Sequence, residues 1–134
     1  MKILKTAIIA FLLSTVFLAC KKESTATTPE SAPVEGMFIG KYGFGNDTPD
    51  KNYSLNLKGN GTIQELGQSS GNPTGEGSWK LKGNNFTASY KMLYSPFSDY
   101  YIVAVFNPAT GTLSGTWGYE AGGTDGGKFT VIKH

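Results

Sequence analysis

These 134 residues contain no arginine, one histidine and one cysteine, and each shortage closes off a class of chemistry. Without the planar guanidinium fork there is no bidentate grip on phosphate, and the lysines form no basic stripe, so no nucleic acid is expected as a partner. The single histidine is His134, the last residue, and the single cysteine is Cys20. Nucleophilic triads and histidine-based metal sites therefore lack their parts, and no disulfide can close within the chain. No segment combines helical periodicity with capping residues. The expectation is a non-catalytic, cofactor-free, all-β protein whose stability comes from packing.

The chain opens with Lys2 and Lys5 and then an almost unbroken apolar run over residues 7 to 18. That run is too short to span a bilayer and has the basic-then-apolar order of a secretory signal. It ends in Phe17-Leu18-Ala19-Cys20, which resembles the lipobox of bacterial lipoproteins. The resemblance implies that residues 1 to 19 are removed, that Cys20 is lipidated as the mature N-terminus, and that a membrane is a partner through this anchor. An ordinary signal peptide with a free cysteine, or an uncleaved anchor, is the alternative. The following Lys21-Lys22-Glu23-Ser24 is similar to the lysine-then-acid signal that routes some Gram-negative lipoproteins to the outer face of the outer membrane. A plain charged spacer reads equally well, so the cell envelope is expected and the membrane face stays open.

Residues 20 to 35 are rich in Thr, Ser, Ala, Pro and charge and show no apolar period, which predicts a disordered tether. A flexible segment of this length reaches on the order of 20 Å. From residue 36 to the end lies one domain's worth of chain, and it holds all 18 glycines. Counted from Cys20, ten lysines face ten acids, so the mature chain is near neutral.

Alternation of apolar and polar residues predicts eight strands near residues 37–44, 52–57, 62–66, 76–82, 86–93, 100–106, 112–119 and 127–133. The clearest is a hairpin around Gly83-Asn84-Asn85, in which Trp79 and Leu81, then Phe86, Ala88, Tyr90 and Met92, share one face. Short connections rich in Gly, Asn, Asp, Ser and Pro join antiparallel neighbours, so the chain is an up-and-down meander. Closing that meander into a barrel, fully or nearly, removes both exposed edges. A Gly-x-aromatic unit recurs at Gly36-Met37-Phe38, Gly40-Lys41-Tyr42, Gly77-Ser78-Trp79, Gly115-Thr116-Trp117 and Gly127-Lys128-Phe129. Glycine lets a strand bend sharply and the ring two residues on fills the space beside it, as a small barrel requires. Long connections (45–51, 67–75, 94–99, 120–126) alternate with short ones (58–61, 83–85, 107–111), which gives the barrel a mouth and a floor, with the tether at the floor.

The Gly-Ser-Trp and Gly-Thr-Trp strands, the Asn-Gly turns and the closing Gly126-Gly127-Lys128-Phe129-Thr130-Val131 resemble the calycin superfamily, especially the small lipocalin-like domains of bacterial lipoproteins. The first strand reads Gly36-Met37-Phe38-Ile39-Gly40-Lys41-Tyr42 where lipocalins carry Gly-x-Trp, and there is no C-terminal helix. The resemblance implies that a small hydrophobic or amphipathic molecule enters through the mouth.

The register places Phe38, Tyr42, Phe44, Tyr53, Trp79, Phe86, Tyr90, Trp117, Tyr119 and Phe129 inward. These rings either fill the barrel or leave a pocket toward the mouth lined by Tyr42, Phe44, Tyr90, Trp117 and Tyr119. Glu65 lies two residues from Ile63 and joins that lining if Ile63 points inward; a bulge or frayed strand end that turns it to solvent is the favoured alternative. The acids Asp47, Asp50, Asp99, Glu120 and Asp125 fall on the long loops, and Asp47-Thr48-Pro49-Asp50 reads as a turn rather than a calcium loop. Strand six is apolar on both faces, so one of them meets something outside the barrel. A patch of Tyr94, Phe97, Tyr100 and Ile102 is the expected docking surface for a protein or glycan partner.

Overall fold

A computed structural model describes residues 34–134. They form eight antiparallel strands: β1 (Gly36–Tyr42), β2 (Lys51–Leu57), β3 (Thr62–Leu66), β4 (Pro73–Lys82), β5 (Asn85–Met92), β6 (Asp99–Asn107), β7 (Thr112–Gly118) and β8 (Gly127–Lys133). Each pairs with its sequence neighbour and β8 pairs with β1, so the meander closes into a barrel with no free edge. The expected hairpin is β4–β5, in register from Gly75↔Met92 to Lys82↔Asn85 around a two-residue turn. Gly83 has φ 60 there, the conformation such a turn demands of its first residue. Cys20 and the expected signal segment lie outside the described residues, as does most of the expected tether. Its end does not: Val34 is 7% exposed and packs with the core, so the folded unit begins before Gly36.

The interior is apolar and the outer face carries Lys41, Lys91 and Lys128, all exposed, the reverse of a barrel that faces lipid. The floor half is solid: Phe38, Leu57, Ile63, Phe86, Ile102, Phe106 and Leu113 are all essentially inaccessible, with Phe38 edge-on to Phe106 at 6.2 Å. Each such side chain contributes about 1.5–3 kcal/mol relative to an exposed one. Trp79 seals this end only partly, stacking on Phe86 at 5.9 Å while its indole N–H donates to the carbonyl of Lys58 at 3.1 Å.

The glycines of four of the five Gly-x-aromatic units, all but Gly36, lie where strands approach too closely for a side chain. A Cβ on Gly40 would stand 2.1 Å from the Thr130 carbonyl oxygen, and one on Gly77 2.0 Å from that of Ser89. Gly115 and Gly127 meet neighbouring backbone in the same way. The recurrent unit is thus a bending device with a ring beside it.

Strand β6 corrects one expectation. Tyr90, Ala88 and Phe86 of β5 point inward, and β6 sets Tyr100, Ile102 and Ala104 opposite them. Directly paired residues share a face, so Tyr100 and Ile102 belong to the interior; Ile102 is 1% exposed. The outward face of β6 is instead Tyr101, Val103 and Val105, the two valines being 42% and 54% exposed.

Candidate functional site

The long connections 43–50, 67–72, 93–98 and 119–126 share one end of the barrel, and beneath them the strands contribute one ring after another. Tyr53 of β2 meets Tyr42 of β1 at 5.6 Å, Tyr42 meets Trp117 of β7 at 5.6 Å, and Trp117 meets Tyr100 of β6 at 5.8 Å. Tyr100 stacks on Tyr90 of β5 at 5.4 Å, and the Tyr90 and Tyr53 hydroxyls close the circuit with a 2.9 Å hydrogen bond. Five aromatic side chains therefore form a closed belt. Two strands leave it room: β4 presents Gly75, on whose backbone the Tyr90 ring lies, and β3 presents Glu65. Phe44 and Tyr119, 43% and 49% exposed, extend the belt to the rim, each about 5.5 Å from Trp117 (5.4 and 5.5 Å).

The belt is held from outside its own strands. The Trp117 indole N–H donates to the Gly43 carbonyl at 3.0 Å, and its ring lies over Gly126, where a Cβ would come within 2.5 Å. Gly43 and Gly45 in turn donate to the carbonyls of Lys128 and Gly126, lacing the first rim loop to β8. These bonds fix the ring that touches most of its neighbours.

Between the belt residues lies a cavity of about 80 Å³, lined by Tyr42, Phe44, Tyr53, Glu65, Tyr90, Met92, Tyr100, Trp117 and Tyr119. That holds about three waters at their liquid-volume share, and falls well short of the ~300 Å³ at which pockets for drug-sized ligands begin. A head group fits; a whole lipid does not. Burial pushes the Glu65 carboxyl up from the ordinary carboxylate range, and a hydrogen bond from Tyr90 opposes this only in part. Among the described residues, no lysine contributes to the shift of Glu65. Burial likewise raises Tyr53, Tyr90 and Tyr100, so their hydroxyls remain protonated donors.

The structure brings Tyr42, Phe44, Tyr90, Trp117 and Tyr119, the five expected lining rings, around this one cavity, and with them Glu65, whose favoured solvent-facing placement is thereby corrected. Glu65 is the instructive member. A register shift does occur in β3, but between Glu65 and Leu66, after the carboxylate has already been directed inward opposite Leu55 and Gly75. Tyr53, Met92 and Tyr100 complete the lining beyond the residues the sequence predicts for it. The sequence pattern places Tyr53 inward without assigning it to the pocket, and the apolarity of β6 on both faces points Tyr100 to the outer patch. Tyr94 and Phe97 of that patch do stand out from the 93–98 loop, 62% and 54% exposed, without Ile102 beside them.

Two of the rim acids are engaged locally. Asp125 accepts the backbone N–H groups of Tyr119 and Glu120 at 2.9 and 3.3 Å, and Asp50 pairs with Lys51 at 3.0 Å. Among the described residues no group of three or more His, Cys, Asp or Glu could hold a metal ion. No family model, no curated protein and no solved structure matches this chain.

Proposed function

We propose that this protein is a lipocalin-like binding lipoprotein of the cell envelope. It is anchored to the outer membrane through lipidated Cys20, without catalytic activity, and holds a small amphipathic ligand or its head group at the barrel mouth. The observation that carries the reading is the cavity inside the closed aromatic belt: a barrel built only for stability would have packed its mouth as tightly as its floor. The tether joins at the floor, so the mouth points away from the anchor, the orientation suited to capture.

Native mass spectrometry of the full chain recovered from its own membrane tests this. Wild type should carry an additional mass that extraction converts to a defined small molecule. In Trp117→Ala, or in the less disruptive Tyr42→Ala, occupancy should fall at least ~10-fold, since each deletes a wall of the cavity. A bare wild-type mass would overturn the binding reading. One observation supports a second role: Leu93, Tyr94 and Phe97 are exposed together on the 93–98 loop, with Phe97 at φ 52, an uncommon conformation for so bulky a residue. A protein or glycan docked on that loop would appear in the same spectrum as a partner mass.

A further inference from the structure

We propose that the cavity at the barrel mouth takes a small organic ammonium group, with the belt rings as its walls and Glu65 as its counter-charge. The inference rests on the binding reading above and adds the chemical class of the ligand. Three features carry it. The lining is almost wholly aromatic, and ring faces are negative in their quadrupole, so a cation between several of them gains attraction that a neutral group of equal size does not. The rim already shows this preference, with the Lys51 ammonium 5.4 Å from the centre of the Phe44 ring.

The second feature is the isolated carboxylate. Glu65 is the only acid in the lining, it is half-buried, and the one side chain bonded to it is a neutral tyrosine. Among the described residues no lysine forms an ion pair with it. A carboxylate taken out of water without a cation is unfavourable, and an ammonium ligand supplies that cation. An apolar ligand would bury the acid further and compensate nothing.

The third feature is size. A cavity of about 80 Å³ suits a head group of a few heavy atoms, and the exposed rim rings, Phe44 and Tyr119, leave room for a substituent to emerge. Quaternary or tertiary ammonium is favoured over a primary amine, because its methyl groups fill the space between rings and its charge is weakly hydrated.

The test uses choline chloride and its neutral isostere 3,3-dimethyl-1-butanol, titrated into the full chain and followed by calorimetry and tryptophan fluorescence. Trp117 reports the cavity, while Trp79 sits at the floor as an internal reference. Choline should bind at least ~10-fold more tightly than the isostere, and Glu65→Gln should remove most of that difference. Equal or tighter binding of the isostere would overturn the ammonium assignment and leave a neutral-ligand site. Silence from both compounds, with a non-cationic molecule found bound in the native spectrum, would also overturn it and leave the binding reading intact. Silence from both with an empty chain would overturn both readings.

Discussion

Glu65 is pulled two ways: burial favours its protonated form, and the Tyr90 hydroxyl favours its charged form, with burial the larger effect. The folded protein therefore binds this proton more tightly than the unfolded chain does. Between the ordinary glutamate value and the raised one the native state carries more protons, so stability falls as pH climbs through that window. The other titratable groups facing Glu65 are the hydroxyls of Tyr42, Tyr53, Tyr90, Tyr100 and Tyr119, and none is a base that could neutralise it. Glu65→Gln keeps the shape and removes the titration. Its melting temperature, compared with wild type, should be near parity at about pH 4 and a few degrees higher at about pH 8. An offset that does not change with pH would show that the carboxyl is already relieved of its burial cost.

Strand β6 shows how far sequence alternation reaches and where it stops. Tyr101, Val103 and Val105 form one apolar set and Tyr100, Ile102, Ala104 and Phe106 the other, so periodicity alone cannot say which is inside. The pairing with β5 decides it, and that pairing is a long-range fact. Ile102→Lys should accordingly unfold the barrel, costing more than ~4 kcal/mol for an unpaired buried charge. Val105→Lys should leave the denaturation midpoint within about 0.5 kcal/mol. Equal effects would mean that the face assignment is wrong. Elsewhere the strand pattern is legible because most strands have one apolar face. The predicted bounds of the third and eighth strands coincide with β3 and β8, and the others shift by a residue or so. Strand β4 is the exception. Asn72-Pro73-Thr74-Gly75 has the composition of a turn, yet Pro73 opens the strand, the place where its missing N–H costs least. Of the site, the inward rings on unambiguous strands could be read and Tyr100 could not, because its orientation is inherited from Tyr90.

The whole barrel depends on one seam between the two ends of the domain. β1 meets β8 from Phe38↔Lys133 to Tyr42↔Phe129, and the seam continues into the rim loop, where Gly43 and Gly45 bond across to the backbone around Gly127. Two glycines make the approach possible: a Cβ on Gly40 would strike the Thr130 carbonyl, and one on Gly127 would stand 2.0 Å from the Gly43 oxygen. Opening the seam would expose two strand edges and the single core that all eight strands share, so there is no smaller unit left to remain folded. The same seam positions the site, since Trp117 is held by the Gly43 carbonyl and lies over Gly126. Gly40→Ala should therefore cost about 3 kcal/mol or more, because the obstacle is backbone that cannot swing aside. Gly71→Ala is the matched control, with open space around it and only a positive φ to oppose the change, at about 1 kcal/mol. In Gly40→Ala, far-ultraviolet circular dichroism and tryptophan fluorescence should be lost in one coincident transition. Two separated transitions would show that the mouth opens independently of the floor, and that the belt around Glu65 can be dismantled while the packed half of the barrel stands.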